Sequence, residues 1–174
     1  NIGGSRDPRS LPGLSAMTIA MLREGTSNLT SEQIADEFEL MGSPLTTGTN
    51  RERTIIASQT LSRYFDKALR LVADLSMNPT FPNHEIERIR TERLTSIRRI
   101  RDDATAIAER LLAGLVYGGE SAYGHPLSGT EQSIETIARN DIVDFFSQNY
   151  GPATATLVVV GDISIDDATT LAET

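Results

Sequence analysis

The chain has 174 residues, a mass of 18.9 kDa and no cysteine. This length suits one domain with a real hydrophobic core, and the lack of cysteine excludes thiol nucleophiles, iron–sulfur clusters and cysteine zinc sites. The 16 basic and 24 acidic side chains give a net charge of −8, so we expect no nucleic-acid partner, because such partners require a basic surface. No run of eighteen apolar residues occurs, and the sequence predicts no membrane span.

The first helices are marked by their termini. Pro12–Glu24 is mostly apolar and predicts a helix, with Pro12 in its first turn and Gly25 at its end. Thr30 is placed to cap a second helix, and Gln33 lies three residues later, as in a capping box.

A β-hairpin is predicted next. Pro44–Thr49 and Glu52–Gln59 have strand composition, with a turn expected at Gly48–Asn50.

The second half of the sequence is mainly helical. The predicted elements are helices at Leu61–Met77, His84–Tyr117, Ser133–Ala138 and Asn140–Asn149, and a buried strand at Ala155–Val160. Few strands among many helices indicate an α+β fold with an antiparallel or mixed sheet. Asn1–Gly4 has the pattern of a strand end and Asp167–Thr174 that of a helix start, so we expect a fragment of a longer chain.

Single residues do not identify an active site. His84 and His125 are far apart in the sequence, and neither belongs to a metal-binding spacing, so exposed or structural roles are expected for both. The arginines between residues 88 and 101 alternate with acidic residues, which predicts a solvated helix face. No nucleophile elbow and no phosphate-binding loop occur.

The order of short motifs is more informative than any one of them. In chain order they are Gly4–Asp7, Gly13-Leu14, Leu22 with Gly25-Thr26, Leu40–Gly42, Thr49–Glu52, Asn78–Phe81, Tyr123-Gly124, Gly129-Thr130, Tyr150 with Pro152, and Val158–Asp162. Together they resemble the pitrilysin/insulinase family of zinc metallopeptidases, which includes the mitochondrial processing peptidase. The resemblance covers nearly the whole chain. It implies an antiparallel sheet of about five to six strands with helices packed mainly on one face, and a single N-terminal-type half-domain over residues 1–174.

The catalytic side chains of that family are missing. Active members carry His-x-x-Glu-His on the first helix and a distant glutamate ligand on the long helix. The resemblance puts the histidine positions at Ala16 and Ala20, the general base at Ile19, and the third ligand at Ser96, or at Thr95 in a register shifted by one. Alanine cannot ligate zinc and isoleucine cannot accept a proton. We therefore expect no catalytic residue and no metal or cofactor in this domain, with zinc only in a catalytic partner or another half.

The resemblance also implies a function. We expect a non-catalytic domain that completes the chamber of an active zinc peptidase half or subunit and presents unfolded peptide to it. In catalytic members an edge strand pairs with the peptide, and its counterpart here comprises Leu45, Thr46, Thr47, Gly48 and Thr49. This segment either keeps peptide contact or is only a structural edge, because Pro44 and Gly48 weaken a strand.

Two alternatives stay open. The chain could be part of an active zinc metalloendopeptidase whose catalytic motif lies in another half, or a purely structural assembly subunit. The expected partner is a homologous catalytic half or subunit, and the expected location, through the family, is the bacterial periplasm.

Overall fold

Helices make up most of the fold. The computed structural model describes residues 2–173. The helices are α1 (Leu14–Met21), α2 (Ser31–Leu40), α3 (Phe65–Met77), α4 (Asn83–Arg99), α5 (Ala104–Tyr117), α6 (Glu131–Thr136), α7 (Arg139–Asn149) and α8 (Ile165–Ala172), and the strands are β1 (Leu45–Thr49) and β2 (Thr54–Ser58). The helix start predicted at Asp167–Thr174 is confirmed by α8 over residues 167–172. The strand end predicted at Asn1–Gly4 is not found in its described part, and Gly4–Arg6 form a 3-10 turn. Asn1 and Thr174 themselves lie outside the described residues.

The predicted capping box on α2 is confirmed. The Gln33 backbone N–H donates to the Thr30 hydroxyl, and the Thr30 backbone N–H donates to the Gln33 side chain at 2.9 Å. Two of the N–H groups that a helix start leaves unpaired are therefore satisfied by local side chains.

The sheet is smaller than expected. β1 and β2 pair antiparallel, with Leu45 opposite Ser58 and Thr49 opposite Thr54. The turn lies later than predicted, because the Asn50 side chain accepts hydrogen bonds from the backbone N–H groups of Glu52 and Arg53. Residues 2–173 form these two strands, and the expected sheet of five to six strands is not found among them.

The predicted buried strand at residues 155–160 is wrong for the described part of the chain. Leu157, Val158 and Val160 are 53%, 75% and 93% exposed, and the segment pairs with no described strand. A run of β-branched residues predicts burial only where a neighbouring strand and a packing face are present.

The single long helix predicted from His84 to Tyr117 is also wrong. It is interrupted by a 3-10 turn at Ile100–Asp102. Asp103 then takes an extended backbone, and its carboxylate accepts from the N–H groups of Thr105 and Ala106. Asp103 is thus an N-cap that starts a second helix, α5, whose end at Gly118 is as predicted.

The main core is built around α1, which packs against α4, α7 and β1. Met17, Met21 and Leu22 are fully buried there. A second cluster joins α2 and α3 around Phe38 and Leu75. Every residue of α1 except Ala20 is therefore an interior residue, as is typical of a helix at the centre of a domain.

Within residues 2–173, no helix combines the length and the apolar character that crossing a membrane requires.

Candidate functional site

The start of α1 is fixed by a carboxylate and a close backbone contact. Asp7 accepts hydrogen bonds from the backbone N–H groups of Gly13 and Ser15, both at 2.7 Å. Burial raises the pKa of Asp7 above its ordinary value, although these two bonds oppose the change. Gly13 has φ 94°, and a Cβ there would lie 2.7 Å from the Gly129 Cα. The motif residue Asp7 is thus the anchor of α1, a role that its position in the sequence did not reveal.

The three predicted positions on α1 lie at its packed face. Ala16 and Ile19 are 5% and 4% exposed, and Ala20 is half-buried. Ile19 belongs to the main core together with Ile89 and Ile97 of α4. The predicted general-base position is therefore occupied by a packing side chain.

Ala20 and Ser96 meet at one cavity between α1 and α4. This cavity has a volume of about 300 Å³ and is lined by Ala20, Ile89, Glu92, Arg93, Ser96, Ile97, Ile100 and Ser128. The Ser96 hydroxyl donates to the Glu92 carbonyl at 3.0 Å. Thr95, the shifted alternative, is exposed like Ser96 but does not line the cavity. This arrangement favours Ser96 over Thr95 as the counterpart of the third ligand.

Arg93 fills part of this region, which the sequence did not predict. Its Nη2 donates to the Ala16 carbonyl, and its Nε is buried with no hydrogen-bond partner. Burial lowers the pKa of Arg93. The predicted solvated arginine face is therefore wrong here, and also for Arg90, which donates to the carbonyls of Ile134 and Ile137. Sequence alternation of charge did not identify which arginines face the core.

A second group of charges lies next to this cavity. The Arg88 guanidinium pairs with Glu24, Glu85 and Glu92. Burial raises the pKa of Glu85, but hydrogen bonds from Arg88 and Ser31 outweigh it and lower the pKa overall. The network joins the loop after α1 to α4. Each buried carboxylate in it is paired with a cation, so none of these four side chains is an unpaired acid or base.

The donor set does not fit a zinc ion. Residues 2–173 contain no group of three or more His, Asp or Glu side chains placed to hold a metal. The His84 side chain is 80% exposed, as expected, and His125 is half-buried in a loop. Among the residues that line the cavity, Glu92 alone carries a carboxylate and none carries an imidazole, whereas a zinc peptidase needs several such groups together.

The predicted peptide-contact strand coincides with β1. Its five residues, Leu45 to Thr49, form the whole strand, and α1 packs against it. β2 occupies one edge, and no described strand pairs with the other. An unpaired edge presents backbone N–H and C=O groups to which an extended chain can bind. Thr46 is exposed and the other four residues are half-buried.

The comparisons with known proteins decide the family. The sequence model described as "Insulinase (Peptidase family M16)" matches residues 1–131, and the model described as "Peptidase M16 inactive domain" matches residues 136–174. The chain belongs to peptidase family M16.

Individual M16 proteins agree with this assignment. The crystal structure of a peptidase M16 inactive domain from Pseudomonas fluorescens superposes with a TM-score of 0.90 and 28% identity, over 98% of this chain and 41% of that one. The human mitochondrial-processing peptidase subunit beta is 28% identical over 153 residues, which are 88% of this chain and 31% of that protein. The periplasmic protease PqqL from Escherichia coli has the same fold, with a TM-score of 0.86 and 19% identity over 98% of this chain and 20% of its own.

These matches support a non-catalytic domain of M16 type with an α+β fold. The chain spans about a third of the human relative and about two fifths of the Pseudomonas structure. The activity, substrates and partners of the whole protein are therefore considered only as proposals below.

Proposed function

We propose that these residues form a non-catalytic M16 half-domain that closes the chamber of an active zinc peptidase half or subunit. The main support is the replacement of the metal centre. Ala16, Ile19, Ala20 and Ser96 stand at the positions that the resemblance assigns to ligands and base, and the half-buried Arg93 side chain reaches from α4 to the Ala16 carbonyl. No zinc or other cofactor is proposed for this domain.

We also propose that β1 holds extended peptide for the catalytic partner. The strand packs against α1, and no described strand pairs with its second edge. Backbone pairing depends little on side chains, so the loss of catalytic residues does not remove it. The expected weakness from Pro44 and Gly48 is limited, because β1 keeps its full pairing with β2 through Gly48.

The proposal includes a longer chain around the half-domain. The relatives are more than twice as long as this sequence, and the exposed apolar residues 157–160 lack a strand partner among the described residues. We propose that the remaining strands of a five-to-six-stranded sheet come from outside these 174 residues. The proposed partner is a homologous catalytic half or subunit, in keeping with the subunit name of the human relative. The proposed location is the periplasm, by analogy with the periplasmic protease PqqL.

An enzymatic whole protein is the alternative that one observation favours. Because the chain covers only about a third of a processing-peptidase subunit, a catalytic motif elsewhere in the same polypeptide would make the full protein a zinc endopeptidase. A purely structural assembly subunit is the remaining alternative, and it predicts no peptide binding at β1.

Peptide binding to the isolated domain tests the proposal. A fluorescent, unstructured ten-residue peptide is titrated and followed by anisotropy, beside two versions N-methylated at alternate residues in either register. We expect the parent to bind and at least one methylated version to lose about tenfold or more in affinity, because strand addition needs the peptide N–H groups. Thr46→Ala is the matched control and should change affinity less than about twofold. Equal binding of all three peptides, or none, would leave β1 as a structural edge only.

A further inference from the structure

Arg93 is a half-buried side chain whose charge is not paired directly with a carboxylate. Its guanidinium has five N–H donors, and one of them, on Nη2, binds the Ala16 carbonyl while Nε has no acceptor. Among residues 2–173 no carboxylate oxygen lies within 4.0 Å of its nitrogens, the usual limit for an ion pair. Glu92 attracts the guanidinium only from a longer distance, and the pKa of Arg93 stays lowered by burial. A cation that is partly removed from water and lacks a direct counter-ion is unfavourable. An anion bound beside Arg93 would relieve this penalty.

The charges around Arg93 leave room for one anion. Glu92 also lines the cavity, but its carboxylate accepts from Arg88 at 2.7 Å and is already paired. Ser96 and Ser128 also line the cavity, and the Ser96 hydroxyl, which donates to the Glu92 carbonyl, keeps lone pairs only. The volume of about 300 Å³ is at the lower end of small-ligand pockets, which suits a single small group at the end of a longer molecule.

We propose that the cavity lined by Ala20, Arg93, Ser96 and Ser128 is a binding site for the carboxylate of a peptide, with Arg93 as its cationic anchor. A planar carboxylate matches the guanidinium fork and can accept two parallel hydrogen bonds. A dianionic phosphate fits less well, because the protein carries a net charge of −8 and Glu92 borders the cavity. The carboxylate is either the peptide C terminus or an acidic side chain.

This inference rests on the proposed peptide contact at β1 and adds which peptides would bind there, namely those with a carboxylate for Arg93. A peptide held at the open edge of β1 passes α1, on whose buried face Arg93 binds Ala16. The domain would then select acidic or C-terminal segments at the place where a catalytic relative holds its metal. The Arg93 guanidinium provides a positive charge there, as the metal does in a catalytic relative. Unlike the metal, it binds a carboxylate and does not polarise a peptide bond.

The side-chain N–H signals of arginine give a direct test. In ¹H–¹⁵N spectra of the domain, sodium acetate is titrated while the Nε–H of Arg93 is followed, with the exposed Arg99 as internal reference. We expect a saturable downfield shift for Arg93 and only a small, linear change for Arg99. The two Nε–H signals are assigned by their loss from the spectra of the Arg93→Met and Arg99→Met variants. A shift at Arg93 no different from that at Arg99 would overturn the carboxylate site.

Peptides then distinguish the two sources and separate this inference from the function it rests on. Three peptides of one sequence are compared: a free C terminus, a C-terminal amide, and an amide with one internal glutamate. We expect the free acid or the glutamate peptide to bind about tenfold or more tightly than the plain amide. Arg93→Met should abolish this difference in affinity, and Arg93→Lys should keep part of it. Arg99→Met should leave the whole difference unchanged. Equal affinities in wild type and Arg93→Met overturn the site. Absence of all peptide binding with a saturable acetate shift removes the β1 function and upholds the site.

Discussion

Introducing the family's metal ligands tests whether the charge of Arg93 prevents zinc binding. The variant combines Ala16→His, Ile19→Glu, Ala20→His and Ser96→Glu, the four changes that would restore the family's ligands and base. We predict that this fourfold variant still fails to bind zinc at micromolar concentration. Adding Arg93→Met should allow stoichiometric binding.

The magnitude follows from the placement of Arg93. It lies three residues before Ser96 on α4 and its Nη2 binds the Ala16 carbonyl, so its guanidinium would lie about 6 Å from a metal held by these positions. Coulomb's law for a single and a double charge at an effective dielectric constant of about 20 gives about 5 kcal/mol of repulsion, or about four orders of magnitude in Kd. The core penalty of Ile19→Glu is shared by both variants and cancels in their ratio.

The assay is competition with a chromophoric zinc chelator, after circular dichroism has shown that each variant is folded. The fourfold variant with Arg99→Met is the matched control and should behave like the fourfold variant alone. Equal zinc affinity with and without Arg93 would refute the repulsion argument. Folded variants that all ignore zinc would show that the register on α1 or α4 is wrong.

Three stability predictions follow from the contacts around the site, each measured by urea denaturation. Gly13→Ala should lower the unfolding free energy by at least about 1 kcal/mol more than Gly42→Ala. Both have positive φ, but only the Gly13 Cβ would contact backbone, at 2.7 Å; equal losses would contradict the close approach. Asp7→Ala should lower the unfolding free energy by about 1–2 kcal/mol, because the Gly13 and Ser15 N–H groups lose their acceptor. A loss under about 0.3 kcal/mol would exclude the anchoring role of Asp7. The pKa of Glu85 is lowered from 4.5 on folding, so its charge stabilises the fold above that pH and the benefit is lost as pH falls. Glu85→Gln should therefore flatten the fall in stability below pH 4.5; an unchanged slope would contradict it.

Local signals in the sequence predicted several elements correctly. Thr30 and Gln33 form the predicted capping box, Leu45–Thr49 lies within the predicted first strand, and Gly118 ends α5. These features are set by neighbours within a few residues. The break between α4 and α5 is equally local but is not predicted, because an aspartate inside a run of helical composition does not by itself show that its side chain caps a new helix, as that of Asp103 does.

Features that depend on distant partners could not be predicted. The sequence shows Arg93 as one of many alternating charges, and only the packing of α4 on α1 reveals that it is half-buried and bound to the Ala16 carbonyl. Likewise, the apolar residues 157–160 have strand composition, but pairing needs a neighbour that residues 2–173 do not supply. The absence of the catalytic side chains was expected from the family resemblance, whereas the guanidinium at that place was visible only in three dimensions.

Zinc titration of the wild-type domain by calorimetry, after treatment with a chelator, is the decisive measurement for a non-catalytic domain. We predict no stoichiometric binding at micromolar zinc, because no imidazole or carboxylate set converges among the described residues and the cationic side chain of Arg93 lines the cavity. Tight binding of one zinc ion per domain would contradict the non-catalytic assignment and would place His84, His125 or acidic side chains in a metal centre.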